Sequence, residues 1–579
     1  MKREVDFCVV GGGPAGIAAA LAASRHGAKT VLVHDRPMPG GNASSEVRMW
    51  ICGAQGQDVR ETGIVEELLL ENLARNPGAS PSLWDSVLYG ALEYAPGLEL
   101  VLNCSINSLE MKDGKISSVS GWQSTTYEPV EIRARIFADC SGDSVLASLS
   151  GARFRHGRES RHEFGESIEP ERADSCTMGS SCLIQARELG DAQKFTPPDW
   201  ARKFTSPEQL PPHRGYRIEG LENFWWMETG GMGNTIADAE RNRHELIEIA
   251  LGVWDYLKNY APDRERNANW QLEWLGFLPG KRESRRYEGD YILNQRDVQS
   301  GGRFADIIAY GGWPLDDHHP GGFAWYGEPN ISLPVPEPFG IPYRCIYSAN
   351  VDNLMFAGRN ISVSHAALSS TRVMATCMTL GQACGTAAAL GIREEMSPRE
   401  VGSRRIDELQ QQLLEDDCFL PGVRRRVPEL SRRARLEVSN GNDAEALRDG
   451  FDRPDRHGDH AWSAKSGDQA TYWFAEPAKL GRIRIVFDSD LNRPEKNVVA
   501  LRTLDQPELH LPGTLFESFS LDYLDLSGEW HRLAEVSGNR RRLAVIDGSG
   551  RMASALRLIL GKTYGNSGSR VFAFDVANS

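Results

Sequence analysis

Apolar and polar positions over the first forty residues fall into a regular order. Val5 to Val10 is a short, mostly apolar run, and Gly11 to Gly13 is a turn. Ala15 to Arg25 is a stretch of helix formers ended by Gly27, and Thr30 to Val33 is a second apolar strand. This is one strand–helix–strand unit. Far along the chain, Asn353 to Ala357 repeats the short-strand pattern ahead of Gly358, and Ser369 to Leu390 reads as helix. The first unit is therefore completed from distant sequence. The stretch between, about Ala152 to Leu333, reads as an insertion, with charged helices such as Asp238 to Asn259 and loops such as Gly311-Gly312-Trp313-Pro314. Beyond Cys418 an Arg-rich, Pro-punctuated segment, Pro421 to Arg435, leads into short alternating strands. These are Ala470 to Phe474, Gly481 to Asp488, Glu529 to Val536 and Ala555 to Gly561, with Gly, Asn, Asp and Ser at the turns, the pattern of an all-β sandwich.

Composition narrows the class. The chain has 579 residues, enough for two or three domains, with 40% hydrophobic and 25% charged positions, as in globular enzymes. A net charge of -14 argues against a protein that tracks phosphate backbones, so no nucleic-acid partner is expected. The uncharged stretch between Arg372 and Arg393 contains Thr376, Thr379, Gln382 and Thr386, too polar for a lipid span, and reads as a buried helix. No membrane partner is expected. Met1-Lys2-Arg3-Glu4 leads into the first strand without an apolar signal region, so a cytoplasmic location is expected. The 10 cysteines include no Cys-x-x-Cys pair, which points away from a disulfide framework and a zinc ribbon.

Gly11-x-Gly13-x-x-Gly16 between a strand and a helix is a dinucleotide fingerprint. The first glycine makes the turn, the second admits a pyrophosphate, the third lets helix pack on strand, and the helix N-terminus receives the anion. Pro14 and Ala15 open that helix. The second strand should end in an acid for the ribose; His34 stands there, with Asp35 next, so either Asp35 reaches the ribose or His34 donates to it.

With these motifs in hand, the chain resembles the FAD-dependent oxidoreductases of the glutathione-reductase-like, two-dinucleotide-binding superfamily. The residues that carry the likeness are Gly11 to Gly16, Arg36-Pro37-x-x-Gly40-Gly41-Asn42-Ala43-Ser44, Phe137 to Asp143, Gly280 to Arg286, Trp313 to His319 and Asn353 to Gln382. The resemblance implies FAD, held by Gly11, Gly13, Pro14, Ala15, Gly16, His34, Asp35, Arg36, Gly41, Asn42, Asp143, Gly358, Arg359 and Asn360. Arg359 and Asn360 stand where the superfamily places an acid for the ribityl chain. Residues from about 430 resemble the discoidin-like (factor 5/8 type C) galactose-binding jelly roll, through Asn442-Asp443-Ala444, Trp462, Tyr472-Trp473-Phe474, Gly528-Glu529-Trp530 and Leu556-Arg557-Leu558. The fold expected is an α/β, Rossmann-like FAD-binding domain (1–151 and 336–418), an inserted α+β substrate domain (152–335) and an all-β jelly-roll sandwich (430–579).

Hydride transfer from a C–H bond leaves a proton to be removed, and histidine titrates in the right range. His365, after the last FAD motif, is the first candidate base; its alternative is a helix-cap or packing role. His318 and His319 come second, as base, metal ligands or a polar turn, and no further metal ligand can be placed. Arg282, Arg285 and Arg286 form a charge run that is either a solvated face or the source of one substrate-facing arginine, Arg282 first. Cys52 lacks a paired thiol, and Phe224-Trp225-Trp226 reads either as a sugar-stacking platform or, more commonly at adjacent positions, as core plus one surface ring. The expectation is an FAD-dependent oxidation of a sugar or glycoside hydroxyl, with an unidentified electron acceptor. The alternatives are reduction of a C=C bond, or a carbohydrate-binding protein whose flavin domain is structural.

Overall fold

The computed structural model describes residues 1–218, 224–494 and 496–579. The chain divides into two compact units: Met1–Gln55, Gly78–Leu409 and Lys496–Glu508 form the first, and Gly56–Pro77, Gln410–Glu495 and Leu509–Ser579 the second. The expected insertion, 152–335, thus clusters with the domain it interrupts. Two exchanges also depart from the expected boundaries, since 56–77 lies with the sandwich and 496–508 with the first unit.

Along the chain the first unit carries β1 (Phe7–Val10), α1 (Pro14–Arg25), β2 (Thr30–Val33), β3 (Leu98–Val101), β4 (Ile136–Asp139), β5 (Ser180–Ser181), β6 (Glu228–Thr229), β7 (Gly280–Lys281), β8 (Leu315–His318), β9 (Leu354–Phe356), α2 (His365–Thr371) and α3 (Met374–Arg393). Five described strands form a parallel sheet in the order β9-β4-β1-β2-β3. Every residue of β1, β2, β4 and β9 is buried, as expected of parallel strands covered on both faces. The Ala-rich α1 packs against α3 at backbone contact: a Cβ added at Gly381 or Gly385 would stand 2.0 Å from the carbonyl oxygen of Ala15 or Ala19. These two glycines let the helices approach and so fix where α1 begins.

The helix read from Ser369 to Leu390 is broken in the structure. α2 ends at Thr371, Val373 is extended (φ -69°, ψ 147°), and α3 leaves at 94° to α2. The physical reason is local, because Arg372 is drawn to Asp316 and the β-branched Val373 breaks the helical path. Among the described residues no single helix is long and apolar enough to cross a membrane. In the inserted region β5 pairs antiparallel with both β6 and β7, over a core that includes Phe204, Leu246, Trp254 and Tyr256. The exchanged strand Leu501–Arg502 pairs parallel with Ile184–Glu188.

The second unit is a β-sandwich. Two strands expected separately are one, Gln469–Phe487, with a bulge between Trp473 and Ala478. Its first half pairs with Met552–Leu560 and its second half with Gly568–Asn578, so a single bent strand serves both sheets. Trp462, Tyr472, Phe487, Phe519 and Phe574 fill the space between.

Candidate active site

A cavity of about 660 Å³ lies within the first unit. One part is a cradle built by glycine. Gly11, at φ +106°, cannot carry a side chain, because a Cβ there would stand 2.5 Å from the backbone of Cys140 and Ser141. Gly13 differs: a Cβ there would meet nothing within 4 Å and would point into free space beside the cavity it lines. Gly13 also caps α1, whose first turn has no side-chain cap and no acidic residue. The first turn of α3 is likewise uncapped by a side chain and free of acid, and Val373, Met374 and Cys377 line the same cavity. Two positive helix ends therefore serve one chamber, which suits an anionic dinucleotide. At the ribose end, Gly12 N–H donates to His34 Nδ1 at 3.0 Å, which leaves the ring proton on Nε2, and burial lowers the basicity of the ring. An N–H donor stands where an acid was expected, with exposed Asp35 beside it. These residues fit FAD.

Of the residues expected to hold it, Gly11, Gly13, Pro14, Ala15, His34, Asp35, Arg36, Gly41, Asn42, Asp143, Gly358 and Arg359 line the cavity. Gly16 and Asn360 do not. Gly16 is a packing glycine, since a Cβ there would fall 1.8 Å from Gly11 O. Asn360 is buried behind the wall, where its backbone carbonyl accepts from Tyr287 N and its Nδ2 donates to Asp139 O. Asp143 binds Lys281 Nζ at 2.6 Å, Ser284 Oγ at 2.7 Å and Arg359 Nη2 at 3.0 Å. Burial opposes its charge, but Arg359 and Lys281 hold its carboxyl at about 2.

The other part of the wall is a set of paired charges. His318 Nδ1 lies 2.8 Å from Glu228 Oε2 and its Nε2 lies 3.2 Å from Asp316 Oδ2. Arg282 Nη1 lies 3.1 Å from the same Glu228 oxygen, and Arg372 Nη2 lies 3.0 Å from Asp316 Oδ2. Arg282 and His318, both expected from sequence, line the cavity together with Asp316, Arg372, Asn330, Trp225 and Trp313. Although burial opposes it, Arg282 and His318 keep the Glu228 carboxyl at about 2. Asp316 is likewise held far below the usual carboxylate range, against burial, by His318 and Arg372. Trp225 sets its edge to the His318 ring at 5.0 Å, which makes it the ring of the Phe224-Trp225-Trp226 group that reaches the site.

His365 is placed elsewhere. It is absent from the cavity wall and 1% exposed, with Nδ1 on Glu283 Oε2 at 2.9 Å and Nε2 on Asp317 Oδ1 at 3.0 Å. Burial alone would lower its pKa; Glu283 and Asp317 raise it well above the ordinary value. Buried away from the cavity wall, it is out of reach of a substrate hydroxyl there, so its expected role as base is corrected. His319 stacks on Trp325 at 4.0 Å, and Arg285 binds Ser148 Oγ at 2.9 Å outside the cavity. Cys52 lines the cavity, and no cysteine among the described residues forms a disulfide. Glu228 carried no sequence signal, because a two-residue strand has no periodicity. Asp316 and Arg372 stood inside quoted motifs, and only the pairing of β8 and the helix break bring them together.

The chain belongs to the FAD dependent oxidoreductase family, whose sequence model matches residues 6–413. It is therefore an FAD-dependent oxidoreductase, and FAD is its cofactor. Among solved structures it is similar to a geranylgeranyl bacteriochlorophyll reductase-like protein from Thermoplasma acidophilum, at 13% identity over 72% of this chain and 85% of that one, TM-score 0.33. It is also similar to the family 32 carbohydrate-binding module of EndoD from Streptococcus pneumoniae, at 16% identity over 27% of this chain and 99% of that one, TM-score 0.20. A third likeness is to the family 32 module of C. perfringens NanJ in complex with galactose, at 8% identity over 26% and 97%, TM-score 0.19.

Proposed function

We propose that the protein oxidises a secondary hydroxyl of a sugar or glycoside, with His318 as the base that takes the hydroxyl proton. The observation that carries this reading is that His318 and Asp316 line the cavity while buried Glu228 holds the other His318 nitrogen. Bound FAD supplies the acceptor for hydride at its N5. Glu228 stays ionised, orients the ring through Nδ1 and stabilises the imidazolium that forms. Asp316 is also held by Arg372 and by Asn330 Nδ2 at 2.5 Å, so Nε2 can exchange it for a substrate hydroxyl. Arg282 and Arg372 present donors to the substrate oxygen as it becomes a carbonyl. Trp225 and Trp313 offer apolar faces beside these polar groups, a mixture that suits the C–H and O–H faces of a pyranose. Reoxidation requires a separate electron acceptor.

The test is anaerobic titration of the FAD-loaded protein with a panel of sugars and glycosides, followed by flavin bleaching. A bleaching substrate is expected, and His318→Gln should retain FAD while slowing bleaching by roughly 10² to 10⁴. A parental rate in that variant would remove His318 from the role. Failure of every hydroxyl compound, together with reoxidation of the reduced protein by an activated alkene, would favour C=C reduction instead.

A further inference from the structure

Three short segments each present neighbouring residues to opposite sides of one wall. On the cavity side, Glu228 accepts from Gly179 N at 2.7 Å, faces His318 Nδ1 at 2.8 Å and pairs with Arg282 Nη1 at 3.1 Å. Behind the wall, the adjacent residues form a second set. Glu283 accepts from Met178 N at 2.9 Å and faces His365 Nδ1 at 2.9 Å, while His365 Nε2 meets Asp317 at 3.0 Å. Met178 and Gly179, Arg282 and Glu283, and Asp317 and His318 are sequence neighbours, and along β8 the extended backbone sends Asp317 and His318 to opposite faces. Glu228 thus ties the three segments through Gly179, Arg282 and His318, and Glu283 and His365 together tie the same three through Met178, Glu283 and Asp317.

We propose that His365 is a positioning residue: by bridging Glu283 and Asp317 it fixes the spacing of Arg282 and His318 across the cavity wall. The proposal rests on reading His318 as the group that faces the substrate. His365 lies away from the cavity, where no substrate can displace either carboxylate, and since a neutral imidazole donates from one nitrogen only, this closed bridge requires the imidazolium. The surroundings supply that charge state. The His365 backbone N–H donates to Glu159 Oε2 at 2.8 Å, and Glu283 and Asp317 hold the proton on the ring. No residue of α2 lines the cavity, and its first residue reaches the wall through β8 and the segment after β7.

The experiment uses FAD-loaded protein with ring-labelled histidine and reads the His318 Nδ1–H proton by NMR, assigned by its disappearance in His318→Gln. Its short bond to Glu228 should place it at low field. His365→Gln and Asp317→Ala should keep FAD yet lose or move that signal upfield. Asp317→Asn, whose Oδ1 still accepts from Nε2–H, should preserve it. An unchanged His318 signal in both His365→Gln and Asp317→Ala overturns the proposal. Should His365→Gln fail to fold, the two Asp317 variants decide, and equal signals in them overturn it. The readout needs no substrate, so a sugar panel that leaves the flavin oxidised refutes the oxidation reading and leaves this test intact.

Discussion

Buried arginines in the β-sandwich unit join carboxylates and carbonyls inside its packing, whereas Arg282, Arg359 and Arg372 of the first unit line the cavity itself. Arg484 binds the carbonyls of Leu414 and Glu415 as well as Asp452, and Arg542 binds the carbonyl of Phe487 together with Asp417. Arg493 takes Glu66 with two nitrogens, at 2.7 and 2.6 Å, and also bonds Ser489 O. Each joins separate stretches of chain. Near the cavity, Asp143, Lys281 and Arg359 form one set and Arg282, His318, Asp316 and Arg372 another, all lining it, with buried Glu228 holding Arg282 and His318. Burial makes ions costly in both places, so what distinguishes them is access to the cavity. Pairs closed inside the packing anchor the chain, while pairs on the wall present charge to whatever enters.

The sharpest break of this contrast is Gly13→Val. A Cβ there meets no protein atom within 4 Å, so the variant should fold with the parental melting temperature of the FAD-free protein yet purify colourless. Full flavin absorbance per chain would refute the placement of the pyrophosphate. Next in size is Arg493→Met, which strands the buried Glu66 carboxylate and should cost about 3 to 5 kcal/mol in urea unfolding, with flavin absorbance per soluble chain unchanged. An equal loss of flavin would erase the distinction between anchoring and cavity pairs.

The smallest effect concerns Glu169 in the flavin unit, 1% exposed with neither carboxylate oxygen hydrogen-bonded. Burial pushes its carboxyl up to about 8, against the pull of His365. Its sandwich counterpart, Asp575, is raised by burial only to about 6, with Arg425 at 2.7 Å. The folded chain keeps a Glu169 proton that the unfolded chain releases above about pH 4.3. Its contribution to stability is therefore present below that value and declines as pH rises toward about 8. Glu169→Gln should remove this slope, so melting curves from about pH 5 to about pH 8 should show the variant gaining on the parent as pH rises. A constant difference across that range would show that Glu169 titrates normally.

Legibility from sequence followed the range of the interactions. The glycine fingerprint, β1, α1 and β2 were readable because turn, helix and strand are local and each glycine answers a backbone need within a few residues. His34 was readable as a departure for the same reason. His365 was misplaced because nearness in sequence to the last FAD motif stood in for orientation, and alternation along β8 sends Asp317 and its partner away from the cavity. Glu228 was invisible because its function depends on Arg282 and His318, which lie far along the chain. The bent strand Gln469–Phe487 read as two because its bulge interrupts the alternation.

The exchanged segments set a clock for biosynthesis. Glu66 emerges early, but its partner Arg493 follows 427 residues later. Ile51 N waits longer still for Asn497 Oδ1, 446 residues on. At roughly 5 to 20 residues per second, that delay is on the order of 20 to 90 s, during which the helix Ile64–Arg75 has no sandwich to pack against. Neither contact can close before Arg493 and Asn497 have left the ribosome, so early parts of both units wait on late sequence. Nascent chains stalled short of Arg493 are the ones that chaperones and proteases will meet.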